Sequence, residues 1–178
     1  QPVFEEILNR SDLELKVVVT GAHLSPTYGE TYKIIENHGY DIIKLETLLS
    51  TDTLSGRSKS LGIQIMGLTD IVSREQPDWL LVLGDREESL STASVGAYMN
   101  IPVAHICGGD RVVGNIDDSV RHAVTKLAHL HFPTTKENGD RILKMGEEPW
   151  RVHVVGNPAL DSIRKQPDLS YDYINGKL

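Results

Sequence analysis

Cysteine is almost absent: Cys107 stands alone, so the chain cannot close an internal disulfide. The opening stretch "QPVFEEILNR" lacks the basic, apolar and cleavage regions of a secretory leader. Together these absences make a reducing cytoplasm the expected location. No apolar run approaches the roughly 20 residues of a spanning helix, so no membrane partner is expected. Cationic excess is also missing. Eighteen Lys and Arg face 25 Asp and Glu, for a net charge of −7. That balance disfavours a nucleic-acid surface while leaving room for a local basic patch around a small anion. The Gly-x-Gly-x-x-Gly and P-loop patterns are absent too, which disfavours a dinucleotide or nucleoside triphosphate held in those standard cradles. Internal repeats and heptads are lacking as well, which leaves one ordinary domain, or one lobe of a larger enzyme, for 178 residues.

What is present is alternation. The apolar runs "LKVVVTG", "YDIIKLE", "DWLLVLGD", "IPVAHICGG", "HLHF" and "RVHVVGN" read as strands without period-two patterning, as parallel strands covered on both faces do. Between them, residues 28–38, 56–75, 87–99, 117–129 and 136–145 are long enough for amphipathic crossover helices. The pattern predicts a doubly wound parallel α/β sheet. In "VVGNPALDSI", Asn157 can cap a helix that starts at Pro158. Residues 2–10 read as a helix whose preceding strand is absent. The lobe is expected over residues 1–165, with a linker or departure toward another lobe over 166–178.

In such sheets ligands bind beyond the carboxyl ends of the strands, so the residues just after each apolar run matter most. Here they are polar: Thr20, Gly21, His23 and Ser25 follow the first run, Gly84, Asp85 and Arg86 the third, and Cys107, Gly108, Gly109 and Asp110 the fourth. Asp85 can cap the next helix, with Glu87 and Glu88 favouring its positive end. The glycine pair suits a tight turn, or close approach of backbone N–H groups to a ligand oxygen. In "NIDDSVRHAVTKLAH", Asp117 can cap a helix, and Asp117/Arg121 and Asp118/His122 are pairs four apart. Capping and pairing leave unexplained why Arg121 and His122 sit within a turn of two carboxylates beside a glycine-rich strand end. That grouping suits acid–base work next to an anion. His105, Cys107, Asp110 and His122 are potential metal ligands, but the paired spacings of closed sites are missing, so no metal or cofactor is expected.

The segment from "LVLGDREES" through "AHICGGD", "NIDDSVRHAVTK" and "RVHVVGNPALD" resembles the hydrolysing UDP-N-acetylglucosamine 2-epimerases of sialic and related nonulosonic acid biosynthesis. The Gly-Asp-Arg, His-Ile-x-Gly-Gly-acid, Ile-Asp-Asp-Ser and Arg-His-Ala-x-Thr-Lys elements occur in that order. The resemblance implies the Rossmann-like N-terminal lobe of a two-lobed, glycosyltransferase-B-like enzyme. A UDP-sugar would lie in the cleft against a second lobe not in this chain, within a homo-oligomer. It also implies that Val17–Thr20 is the second strand of the lobe, the first being absent.

By the same resemblance Asp85 and Asp117 occupy positions of catalytic carboxylates and Arg86 lies near the phosphates. Cys107, Gly108, Gly109, Arg121 and His122 are expected around the substrate. The implied reaction eliminates UDP across C1–C2 and then adds water, giving N-acetylmannosamine. This chain departs from the family in having Cys107 where some members carry Glu, and Asp110 where Glu usually follows the glycines. A thiol is a poor proton carrier at neutral pH, so Asp110 is the expected substitute, unless the branch divides the work differently or takes another substrate. Three alternatives stay open: a 4-acetamido-6-deoxy UDP-sugar as substrate, a glycosyltransferase, and a non-catalytic nucleotide-sugar module.

Overall fold

The computed structural model describes residues 1–51 and 53–164; the linker expected over 166–178, and the lobe end at 165, lie outside the described residues. Two compact units form, one from Gln1–Leu15 with the segment beginning at Asn157, the other from Lys16–Gly156. In the first, α1 (Pro2–Leu8) packs on α7 (Pro158–Arg164). The expected cap is present: Ala159 N–H donates to Asn157 Oδ1 at 3.0 Å, and Pro158 opens the helix with a preset φ and no N–H to satisfy.

The larger unit is parallel α/β. Its elements run β1 (Val17–Thr20), α2 (Tyr32–Asn37), β2 (Ile42–Leu45), α3 (Leu54–Glu75), β3 (Leu80–Leu83), α4 (Glu87–Met99), β4 (Val103–Ile106), α5 (Ile116–Leu127), β5 (Leu130–Phe132) and α6 (Lys136–Lys144). The helix expected over 28–38 is confined to Tyr32–Asn37, because Gly29 and Glu30 both take positive φ and break the turn before it. The sixth expected strand is corrected as well. "RVHVVGN" contributes an isolated bridge, Val152 to His131, and two further bonds, His153 N–H to His131 O at 2.9 Å and Val155 N–H to Pro133 O at 3.1 Å. The 3₁₀ turn Pro149–Arg151 occupies its start, and β5 offers only three residues to pair with.

The strands form two parallel sheets, β2–β1 and β3–β4–β5, instead of the single sheet expected. The division matches strands 3-2 and 4-5-6 of the doubly wound order 3-2-1-4-5-6. What joins the two sheets is α3. Leu68 and Val72 of that helix and Val95 of α4 are buried against Val18 of β1, Leu45 of β2 and Leu80 of β3. Each such side chain contributes about 1.5–3 kcal/mol on burial. A second cluster, Val82, Ala93, Val103, Val124 and Ala128, joins β3 and β4 to α4 and α5. All four residues of β4 are buried, so this strand is covered on both faces. Among the described residues, no helix is long and apolar enough to cross a membrane.

Behind β5 lies a buried charge cluster. Glu147, 6% exposed, receives Lys126 Nζ at 2.5 Å, Arg151 Nη1 at 3.2 Å and His131 Nε2 at 3.3 Å. Burial alone would raise this carboxyl, but the hydrogen bond and charge of Lys126, with His131 and Arg151 beside it, hold it below its ordinary value. Removing the charge takes the ionic partner from Arg151 and from the half-exposed Lys126. Glu147→Gln is expected to lower the unfolding free energy of the chain by about 1–2 kcal/mol in urea denaturation; an unchanged midpoint would show the cluster to be dispensable.

Candidate active site

Because β3 and β4 are parallel neighbours, with Leu80 opposite Val103 and Leu83 opposite Ile106, the turns that follow them open on one side. The first turn carries Asp85 into α4; the second carries Cys107–Asn115 into α5. Arg121, on the second turn of α5, is 7% exposed and points back between them. Its Nη2 donates to Asp85 Oδ2 and its Nη1 to Asp110 Oδ2, the latter at 3.1 Å. The guanidinium thus separates two carboxylates that would otherwise repel, and its planar fork matches both. Burial lowers the Arg121 guanidinium from its ordinary value, yet an arginine so paired stays charged.

The other oxygen of Asp110 is held by α6 and the residues before it. Asn138 Nδ2 and Thr134 Oγ1 both donate to Asp110 Oδ1, the second at 3.3 Å, and Asn138 Nδ2 also reaches Thr134 Oγ1 at 2.9 Å. Arg141 Nη1 donates to the Gly109 carbonyl and to Asn138 Oδ1, the latter at 3.2 Å. An open pocket of about 470 Å³ lies against Asp110 and Arg121, bounded by Arg111, Val112, Glu137, Asn138 and Arg141. Concave, polar and mixed in charge, it has room for a sugar-sized ligand beside a carboxylate.

The glycines are explained by internal packing. A Cβ at Gly109, whose φ is +78°, would lie 2.4 Å from the Asn138 carbonyl oxygen; one at Gly108 would lie 2.9 Å from His105 Nδ1. Cys107 takes the left-handed φ of 60° that opens the loop, with its N–H bonded to Phe132 O at 3.1 Å. Burial, and then the charge of Asp110, push its thiol up from its ordinary value.

Several local readings need correction. Asn115, not Asp117, caps α5, accepting from Ile116 N–H at 2.7 Å; Asp117 accepts from Asn115 Nδ2 at 2.9 Å. Among the described residues no ion pair joins Asp117 to Arg121, because the guanidinium is drawn to the strand ends. Asp85 does not cap α4, since Arg121 holds its carboxylate; Arg86 occupies the N-cap place without a side-chain bond. Arg86 is exposed, with Nε 3.5 Å from Glu88 Oε2. The Asp118/His122 pair does form, loosely, at 3.7 Å, while Asp118 Oδ1 accepts Val112 N–H at 2.9 Å and clamps the loop. Thr20 bonds Thr47 at 2.9 Å and His23 bonds Thr31 at 2.6 Å, away from this group. Thr134, Asn138 and Arg141 escaped sequence reasoning. The strand-end rule applied to "HLHF" would have found Thr134, whereas no spacing signals the partners on α6.

A model of the family described as UDP-N-acetylglucosamine 2-epimerase matches residues 5–177. A Campylobacter jejuni protein named GDP/UDP-N,N'-diacetylbacillosamine 2-epimerase (hydrolyzing) is 42% identical over 159 residues, covering 89% of this chain and 41% of that protein. A Legionella pneumophila UDP-N,N'-diacetylbacillosamine 2-epimerase (hydrolyzing) is 36% identical over 178 residues, 97% of this chain and 47% of its own length. Among solved structures, the UDP-GlcNAc 2-epimerase of Neisseria meningitidis bound to UDP-GlcNAc superposes with a TM-score of 0.80 at 23% identity, over 92% of this chain and 43% of that one, which shows likeness of fold. The chain spans less than half the length of these relatives.

Two buried imidazoles near the site give it an acid limit. Burial lowers His105 to about 4 against the Gly84 hydrogen bond, with the neighbouring imidazoles His131 and His122 disfavouring its protonation further, and burial lowers His131 as well. Above about pH 6.5 both states hold these rings neutral and stability is complete; below it the unfolded chain takes up protons first and stability falls. For His105 alone the loss approaches about 3 kcal/mol by pH 4. Urea midpoints are expected to drop between about pH 7 and pH 5, and to drop less in His105→Asn; equal midpoints at the two pH values would contradict the buried neutral state.

Proposed function

Since the chain belongs to the UDP-N-acetylglucosamine 2-epimerase family, we propose that it forms one lobe of a hydrolysing 2-epimerase acting on a UDP-linked 2-acetamido sugar. The observation that carries this reading is the pair of carboxylates, Asp85 and Asp110, held by one buried guanidinium at the ends of adjacent parallel strands, with Asp110 and Arg121 lining an open pocket. Elimination moves the C2 proton to a carboxylate, makes the C2–H electron pair the C1=C2 bond, and releases UDP with the electrons of the C1–O bond. Water then adds at C1 while C2 regains a proton on the opposite face, yielding the 2-epimer.

The geometry and the family resemblance support the following roles. Asp85 is the proton carrier, because Arg121 fixes its direction at the rim. Asp110 stands in for the glutamate that some relatives carry two positions after the histidine of the fourth strand, since Cys107 keeps its thiol protonated and supplies shape. Asp117 lies one turn before Arg121, on the first turn of α5, and serves the second proton transfer once substrate is bound. Arg86, exposed at the start of α4, meets phosphate oxygens. Arg111, Arg121 and Arg141 give the pocket a cationic wall against the leaving diphosphate. Since the chain spans under half the length of its relatives, turnover is assigned to the full-length polypeptide and not to these residues alone. Ile63 and Met66 are exposed on α3 while Leu68 and Val72 are buried, which supports self-association through that helix.

UDP-N-acetylglucosamine is the first substrate to test, and N-acetylmannosamine for nonulosonic acid synthesis the expected product. A second reading, UDP-N,N'-diacetylbacillosamine, is favoured by the names of the Campylobacter and Legionella relatives. The full-length protein is to be incubated with each nucleotide sugar, and UDP and free sugar identified. One of the two is expected to give UDP and the 2-epimeric free sugar, with solvent deuterium at C2, and Asp85→Asn to lower kcat by on the order of 10²-fold with the fold intact. Release of UDP without epimerisation, or full activity in Asp85→Asn, would overturn the reading.

A further inference from the structure

Beside the charged rim lies a side chain that touches neither the pocket nor solvent yet meets every backbone segment that presents the rim. His105, next to last in β4, is 0% exposed. Its Nε2 lies 2.8 Å from the carbonyl oxygen of Gly84, the residue before Asp85. The Gly84 N–H is bonded in turn to Ile106 O at 2.9 Å. Gly84 is thus held through both its N–H and its carbonyl, and the direction in which Asp85 leaves β3 is set. On the other side His105 Nδ1 lies 3.2 Å from Thr125 Oγ1, and that hydroxyl lies 3.0 Å from the carbonyl oxygen of Arg121, one turn earlier on α5. Over the ring folds Gly108, where any Cβ would come within 2.9 Å of Nδ1 and 3.2 Å of Thr125 Oγ1, so the loop that leads to Asp110 packs directly on the ring.

We propose that His105 is a positioning residue of the reaction inferred above: its imidazole, as the Nε2–H tautomer, fixes Asp85 through Gly84, Arg121 through Thr125 and Asp110 through Gly108. The proposal rests on the epimerase reading for its kinetic consequence, though not for its structural one. The tautomer follows from donor counting. A carbonyl can only accept, so Nε2 must donate to Gly84 O; a neutral ring then leaves Nδ1 as acceptor, and the Thr125 hydroxyl proton is shared between it and Arg121 O. Burial keeps the ring neutral, lowering it to about 4. A ring so enclosed has no path to substrate and carries no proton in the reaction. Any buried neutral imidazole needs a partner at each ring nitrogen; here both partners belong to the segments that deliver Asp85 and Arg121.

The test uses the full-length protein with UDP-N-acetylglucosamine and UDP-N,N'-diacetylbacillosamine as probes. His105→Phe keeps the ring and loses the donor; it is expected to lower kcat about ten- to a hundredfold with little change in KM, and to leave the shape of the pH–rate profile unchanged. His105→Gln, whose amide nitrogen can take the place of Nε2, is expected to recover most of that loss. A nitrogen-15 imidazole spectrum at neutral pH reports the tautomer without any turnover, and keeps the proposal testable if His105→Phe fails to fold. Turnover of a folded His105→Phe within about twofold of the parent, or an Nδ1–H tautomer, would overturn the proposal. If the parent protein releases UDP from neither nucleotide sugar, the epimerase reading fails, and the tautomer still decides the structural role of His105.

Discussion

The guanidinium of Arg121, buried between Asp85 and Asp110, is the interaction on which the rim depends. A charge so placed is costly to desolvate, and it is tolerated only where opposite charges meet it with good geometry. The parallel pairing of β3 and β4 supplies that condition, since it brings the two following turns to one side. Two residues 25 positions apart in sequence are then joined by one side chain from a third element. Without the guanidinium, the repulsion between the two carboxylates would be opposed only by the neutral donors Asn138 and Thr134 on Asp110.

The rest of the lobe can be understood as support for that contact. α3 packs against strands of both sheets through Leu68 and Val72, which ties β1 and β2 to β3. α6 grips the glycine loop through Asn138 and Arg141, and the glycines are required because helix backbone and the His105 ring fill the space a side chain would need. The Glu147 cluster fixes α5 against β5 from behind, and with it the axis from which Arg121 projects.

Much of this was legible in the sequence, and for identifiable reasons. Apolar runs of four to nine residues separated by helical patterns exposed five of the strands, and α4 fell on the expected residues 87–99 because Glu87 and Glu88 mark its first turn and Asn100 ends it in the left-handed region. Asp85 and Asp110 are legible because each lies just past the end of an apolar run. Their partner was harder. Spacing offered Asp117 to Arg121, a pair worth a few tenths of a kcal/mol on a solvated helix. The fold instead offered two carboxylates in a half-buried place, where the attraction is stronger. Contacts 24 to 36 residues apart, such as Thr134 to Asp110 or Arg121 to Asp85, leave no periodic trace, and "RVHVVGN" looked like a strand because its composition is that of one while the Pro149 turn before it shortens the pairing.

The rim requires Asp85, Arg121 and Asp110 to act as one unit, with Arg121 and Asp85 energetically coupled. A double-mutant cycle in unfolding free energy, with Arg121→Met, Asp85→Asn and the pair combined, measures this directly. Strong coupling is expected, about 1 kcal/mol or more, with the double variant hardly less stable than Arg121→Met alone. Losses that add to within about 0.5 kcal/mol would show the two residues to be independent, and the buried guanidinium would then not be what organises the rim.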